Sequence, residues 1–338
     1  MGLANKDIPT LRYGNLILPS EILGGVGLGI GNVYLVANKS DTASYASLEA
    51  QYGTIVYPDG TSMFHGATAA TADVAIQAAL DSCVANRNDY VVIMPSSTNY
   101  SITATLQVSK KAVHIICPTG LSGNSFPIGN TARLKSITAA QNIFAITTGV
   151  EAVEIAGFYL KNYADLAAIT IATGCSALNI HHNMFPMVWS SSPVASIVGT
   201  GSGGAWGSIE NNWWISESGT SVTAAIAAVD LAAQATGARV CHNEITIGDA
   251  NTATLCISNL AVKGRTDFNT FSESGGSGVT SGGTITNAIS VPVNGAAIGN
   301  RGAVASGELL SGGTANTSFC DNLDGRATSG TDIWNLQA

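Results

Sequence analysis

Apolar residues in this chain come in short runs, cut again and again by Gly, Ser, Thr, Asn and Pro. Runs of that length between turn residues predict β-strands. Tyr90–Pro95 reads as a buried strand ending in a turn. Asn99–Ile102 and Leu106–Val108 follow as short strands, and Ala112–Gly120 as an apolar strand closed by a turn. Nearer the N-terminus, Arg12–Pro19 and Val33–Ala37 read as strands and Tyr57–Gly60 as a turn. Helical periodicity shows at Thr71–Cys83, where Ile76, Ala79, Leu80 and Cys83 share one face. Thr71 or Asp73 is placed to accept from the first free N–H groups of that helix. Ala46–Tyr52 suits a second, short helix.

The second half of the chain repeats. Six segments centre on an asparagine, at Asn183, Asn212, Asn243, Asn269, Asn300 and Asn322, in steps of 22 to 31 residues. A period in that range signals stacked repeats. The repeats lack amphipathic helical stripes and read as strand–turn–strand. Asn tolerates the left-handed backbone region, so it suits a sharp bend between two strands. In stacked coils the six side chains would lie about 4.8 Å apart, close enough to form a ladder. The pattern predicts a parallel β-helix. Val153–Phe158 reads as an earlier coil with Gly157 at the Asn position, and the Ser/Gly-rich stretches 199–204, 274–283 and 311–314 as loops that lengthen the period.

Composition agrees with such a solenoid. Only 11% of the 338 residues are charged, against about a quarter in ordinary domains, so Ser, Thr, Asn and Gly must supply the polar surface. A net charge of −8 disfavours a nucleic-acid face. The six cysteines form no C-x-x-C pair and read as buried free thiols. The N-terminus has no basic region followed by an apolar run, so no Sec-type signal is expected. Leu16–Val36 is apolar but broken by Pro19, Glu21 and five glycines, which reads as a docking or strand segment and not a membrane span.

The order of elements from 73 to 120 resembles the opening of the pectate lyase-like superfamily. The matching residues are Ala75-Ile-Gln-Ala-Ala-Leu-Asp81, Val91-Val-Ile-Met-Pro95 and Tyr100-Ser-Ile102. A Gly-Asp-Gly-rich lead-in is replaced here by His65-Gly-Ala-Thr68. The resemblance implies an all-β, right-handed parallel β-helix with an N-terminal capping helix. Three regions are expected: a non-repeat docking or oligomerisation segment over 1–60, the capping helix and solenoid over 61–325, and a tail over 326–338 that serves as a plug or contact strand.

Enzymes of that superfamily cleave acidic polysaccharides, so acids that share a coil position, counted from the asparagines, are the candidates. Two places before the Asn the column is His181, Glu210, Cys241 and Asp267, which puts Glu210 and Asp267 about 9.6 Å apart across two coils. One place after it the column is Met184, Trp213, Glu244 and Thr270, which sets Trp213 as a sugar platform beside an acid. Glu210, Glu244 and Asp267 are thus the candidate catalytic acids, and Trp213 the candidate carbohydrate contact. These acids are sparse and unclustered, and scattered surface acids on an inert solenoid are the favoured reading. Trp214 is expected in the core. His181, His182 and His242 read as ladder residues and not metal ligands. No metal or cofactor is expected.

The resemblance to phage β-helices implies a bacteriophage virion protein: a spike, fibre or capsid-decorating homotrimer, docked on other virion proteins through its N-terminal segment and presenting its surface to host glycans. The alternative is a tailspike depolymerase or lyase. Neither nucleic acid nor membrane is an expected partner.

Overall fold

The computed structural model describes residues 31–118, 131–137, 141–163, 166–187, 194–200, 207–216, 222–231, 236–248, 251–273, 283–290 and 295–302. It also describes the backbone of strands Glu308–Ser311, Ser318–Cys320, Asn322–Asp324 and Ile333–Trp334. The chain winds into a parallel β-solenoid of three sheets. Each coil visits the first, second and third sheet in turn. One coil, for example, runs through Asn179–His181, Met184–Met187 and Ile197–Gly199 before re-entering the first sheet at Ser208–Glu210.

Alternation along each strand decides what fills the interior. On the first sheet the inward column is Ile115, Ile155, Ile180, Ile209 and Val240, each in register with the next. Inside the second sheet Phe185 stacks on Trp214 at 4.8 Å and 11°, and Trp214 is fully buried as expected. Inside the third, Leu106, Phe144, Ile169 and Ile197 lie in register. Burying an aliphatic or aromatic side chain of this kind contributes about 1.5–3 kcal/mol. The described cysteines, Cys83, Cys117, Cys175, Cys241 and Cys256, are buried free thiols.

The N-terminal end is closed by a layer that shares the first sheet. Strand β1 (Val33–Asn38) pairs in parallel with β2 (Phe64–Ala67) on one side and with β3 (Asp89–Ile93), the first strand of the coils, on the other. Residues before 61 therefore do not follow the Asn repeat, yet their strand continues its sheet. Helix α1 spans Thr42–Tyr52, starting earlier than the sequence pattern suggested, and α2 spans Ala72–Ser82. Helix α2 buries Ile76, Ala79 and Leu80, with Cys83 buried at its end, over the open end of the solenoid. Its cap is not the one expected. Thr71 makes no side-chain capping bond, and Asp73 instead accepts from the N–H and hydroxyl of Thr103, tying the helix to the first coil. Buried Asp89 pins the other end of α2: its carboxylate accepts from Asn32 N, Val84 N and Arg87 Nε. The strand expected at Arg12–Pro19 lies outside the described residues, as do 201–206, 274–282 and 312–317 within or beside the Ser/Gly-rich stretches.

The turn from first to second sheet carries the asparagine ladder. Each Oδ1 accepts from the backbone N–H and the side-chain Nδ2 of the Asn one coil before it. Asn212 Oδ1 takes both from Asn183, Asn243 Oδ1 both from Asn212, Asn269 Oδ1 both from Asn243, and Asn300 Oδ1 both from Asn269, at 2.9–3.2 Å. The second Nδ2 hydrogen goes to a main-chain carbonyl of the preceding coil, as from Asn243 to Ile209 O at 2.9 Å. The pairing of Arg301 with Leu323 carries the backbone register on to Asn322.

Two expectations about this turn are corrected. The left-handed residue is the one before the ladder Asn: His182, Asn211, His242, Phe268 and Gly299 have φ of 53°, 54°, 55°, 55° and 64°. The ladder side chain points inward from the next position, where it meets its neighbours. Gly157, with φ 84°, belongs to that left-handed series, so Phe158 and not Gly157 occupies the Asn position; its N–H donates to Asn183 Oδ1 at 3.1 Å.

At the far end, Ile333–Trp334 pairs antiparallel with Asn322–Asp324. Ile333 and Trp334 thus lie against the last described strand of the second sheet.

Asn243→Ala is expected to destabilise the fold by about 2–4 kcal/mol, because it strands buried donors on Asn212 and the carbonyl of Ile209. Asn179→Ala, on the outer face, should cost under about 1 kcal/mol. Denaturant melts of the two variants check the difference.

Candidate functional site

The outer face of the first sheet carries the densest polar chemistry among the described residues. One outward column runs Tyr90, His114, Glu154, Asn179, Ser208, Arg239 and Arg265; the next runs Ala156, His181, Glu210, Cys241 and Asp267. A third row, on the left-handed turn, holds His182, Asn211, His242 and Phe268.

At the N-terminal part of this face Glu154 bridges two histidines. Its Oε2 lies 2.6 Å from His114 Nδ1 and its Oε1 2.7 Å from His181 Nε2. Burial raises the Glu154 carboxyl, but the hydrogen bonds and charges of His114 and His181 outweigh it and hold the group down to about 2. An ionised carboxylate only accepts, so both rings donate to it. On its other side His181 Nδ1 lies 2.8 Å from His182 Nδ1, a pair in which one ring donates and the other accepts. Burial and the neighbouring His181 lower the His182 pKa, against the pull of Glu210. Tyr90 stacks flat on His114 at 4.4 Å, completing a chain of five side chains across four strands and a turn. The chain can orient an imidazole and move a proton along the sheet surface.

The sequence-derived acids fall on two different faces. Glu210 and Asp267 do share a column, separated by Cys241, whose thiol sits 3.7 Å from Glu210 Oε2. Glu210 also accepts from Ser208 at 3.3 Å and is partly exposed. Asp267 is fully buried, with Arg265 Nε at 3.0 Å and Arg239 Nε at 3.7 Å from Oδ2. Arg265 Nε is near enough to donate to Oδ2, while Oδ1 has no partner. Burial therefore raises the Asp267 pKa although the two arginines lower it in part. Glu244 is exposed on the second sheet, in register between Trp213 and Thr270. Trp213 is half-buried and its indole nitrogen is covered without a hydrogen-bond partner. The structure thus sets Trp213 beside Glu244 on the second sheet and Glu210 two strands from Asp267 on the first, and does not bring the two pairs together.

His242 does not join His181 and His182; it stacks on Phe268 at 5.2 Å and 22°. No cluster of three His, Cys, Asp or Glu side chains suited to a metal ion occurs among the described residues. An open groove of about 630 Å³ lies between β2 and α2, lined by Phe64, His65, Thr71, Val74 and Ala78. Among the described residues no helix is long and apolar enough to cross a membrane. Comparison with family models, curated proteins and solved structures finds no match.

Because the Glu154 carboxyl is depressed in the folded chain, its stabilisation is complete above the ordinary value of 4.5 and is lost as pH falls toward 2. Removing it with Glu154→Gln should cost on the order of 2 kcal/mol at pH 6 and flatten the pH dependence of stability between those two values. Urea melts of both proteins across that window check it.

Proposed function

We propose that the chain is a β-helical structural protein of a bacteriophage virion, a spike, fibre or capsid-decorating protein that acts in particle architecture and host-surface adhesion. The observation that carries this reading is the asparagine ladder. Donors and acceptors close on one another along the solenoid, which suits a rigid rod that must persist outside a cell. A chain with only 11% charged residues suits close packing against other particle proteins. The N-terminal layer shares a sheet with the coils, so a segment docked through it would transmit force straight into the rod. Homotrimeric assembly belongs to this proposal through the resemblance to phage spikes.

A second reading, a polysaccharide-degrading enzyme, is favoured by two observations: the Trp213–Glu244 pairing and the histidine chain on Glu154. General acid–base work on a glycan needs a proton donor or acceptor beside a sugar platform.

Particles purified from lysate should contain the protein, and the isolated chain should have a light-scattering mass three times its 34.4 kDa. A monomer in solution counts against the trimer, and absence from particles counts against the virion role. Incubated with host capsule and pectin-type polymers, the protein should release neither reducing ends nor unsaturated products. Turnover that Glu154→Gln, Glu244→Gln or Asp267→Asn abolishes would establish the enzyme reading instead.

A further inference from the structure

We propose that the open edge of β2 and the groove beside it are the docking site of this chain's own Arg12–Pro19 segment, which joins the first sheet as a strand antiparallel to β2. The inference stands apart from the virion reading.

The first observation is an unpaired edge. Strand β2 pairs with β1 on one side, and among the described residues no strand lies on its other side. Leu35 N–H donates to Met63 O and Lys39 N–H to Ala67 O, so Met63, His65 and Ala67 turn their main-chain groups to β1. Alternation then turns the N–H and C=O of Phe64 and Gly66 to the open side. An edge of this kind is a template for a further strand.

The second observation is the wall beside that edge. Helix α2 buries Ile76, Ala79 and Leu80 over the solenoid. Its residues Thr71, Val74, Ala75 and Ala78 form a second stripe that lines the groove of about 630 Å³. A helix with one buried face ordinarily carries polar residues on the other. Here the second stripe carries Val74, 66% exposed, and two alanines. His65 lines the same groove, and its Nε2 is covered without a hydrogen-bond partner. Buried polar atoms ordinarily have one, and an added main chain would supply it.

Sequence pattern and reach select the occupant. The sheet at this end is covered on both faces. Tyr34 and Val36 pack with Ile76 and Leu80, while Leu35 and Ala37 pack with Leu48 and Tyr52 of α1. A strand covered on both faces reads as an unbroken apolar run, as Tyr34–Ala37 does. Leu16-Ile17-Leu18 is such a run. Leu16 and Leu18 would face Val74 and Ala78, and Ile17 would take the α1 side beside Phe64. Pro19, which has no N–H, suits the end of an edge strand. Gly31 N–H donates to Asn88 O at 3.1 Å, so the chain enters β1 from beside β3. In the antiparallel arrangement Pro19 lies near the start of β1, two strand spacings or about 10 Å away. Residues 20–30 reach about 36 Å when extended, so the connection closes with length to spare.

Hydrogen-exchange mass spectrometry of the full chain tests the proposal. In wild type the amides of 12–19 should exchange about a hundredfold more slowly than in a free peptide. Val74→Asp should bring them to within about tenfold of the free-peptide rate, while the coil around Asn243 keeps its protection. On a bare groove the same substitution is silent, because an acid suits the first turn of a helix. The double variant Leu16→Asp, Leu18→Asp should act as Val74→Asp does. In a chain carrying Leu16→Cys and Val74→Cys, a short bismaleimide spacer should join the two thiols within one chain, read by peptide mapping. Free-peptide exchange of 12–19 in wild type, protection that survives Val74→Asp, or no such crosslink overturns the proposal. So does a crosslink that forms only between a Leu16→Cys chain and a Val74→Cys chain mixed together, which would give the groove to a second copy. Absence of the protein from particles leaves all of these readouts unchanged, so the two readings fail separately.

Discussion

Everything else in this molecule depends on how one buried side-chain amide meets the next. A parallel stack of three-residue strands has few hydrogen bonds per strand to hold its register, and a slip of one residue would turn every inward side chain outward. The asparagine prevents that slip. Its oxygen takes two donors from one neighbour and its nitrogen serves two acceptors, so no partial shift satisfies all four. Buried amides in such a chain strengthen one another. They also make the turn compact enough for the left-handed residue before them to vary between glycine and phenylalanine.

That constraint organises the outer surface as well. With register fixed on the inside, outward side chains fall into straight columns, and chemistry arises wherever neighbours in a column happen to complement each other. Glu154 finds His114 one coil before and His181 one coil after. Asp267 finds Arg265 on its own strand and Arg239 on the one before. Each carboxylate meets groups from other coils, and the two end in opposite states: Glu154 is depressed because the hydrogen bonds and charges of two histidines outweigh its burial, while Asp267 is raised because burial outweighs the two arginines.

The columns were legible in the sequence wherever an asparagine marked the coil. Counting from Asn212, Asn243 and Asn269 placed Glu210, Cys241 and Asp267 in one line and Trp213 beside Glu244, as the register confirms. Burial was not legible, because nothing near Asp267 in sequence says that Arg239 will cover it. His114 and Glu154 went unnoticed for a different reason. Their coils precede the first ladder asparagine, and Phe158 fills its place there, so no marker aligned them with His181. The apolar strand Ala112–Gly120 could have supplied one, with Ile115 aligned on Ile155 and Ile180. The bend was misassigned by one residue because Asn suits both positions, and Asn211 does occupy the left-handed one. The cap of α2 was misassigned because Asp73 has a better partner in Thr103, thirty residues on.

The antiparallel strand Ile333–Trp334 makes the two ends of the rod different in kind. Every other pairing in the second sheet runs one way, so in principle a copy could join end to end and continue the sheet indefinitely. A strand laid against the last coil in the opposite direction interrupts that polarity, and an incoming copy would meet the wrong hydrogen-bond pattern there. Among the described residues, the second sheet therefore ends on a strand of opposite direction, while the first and third end on parallel strands.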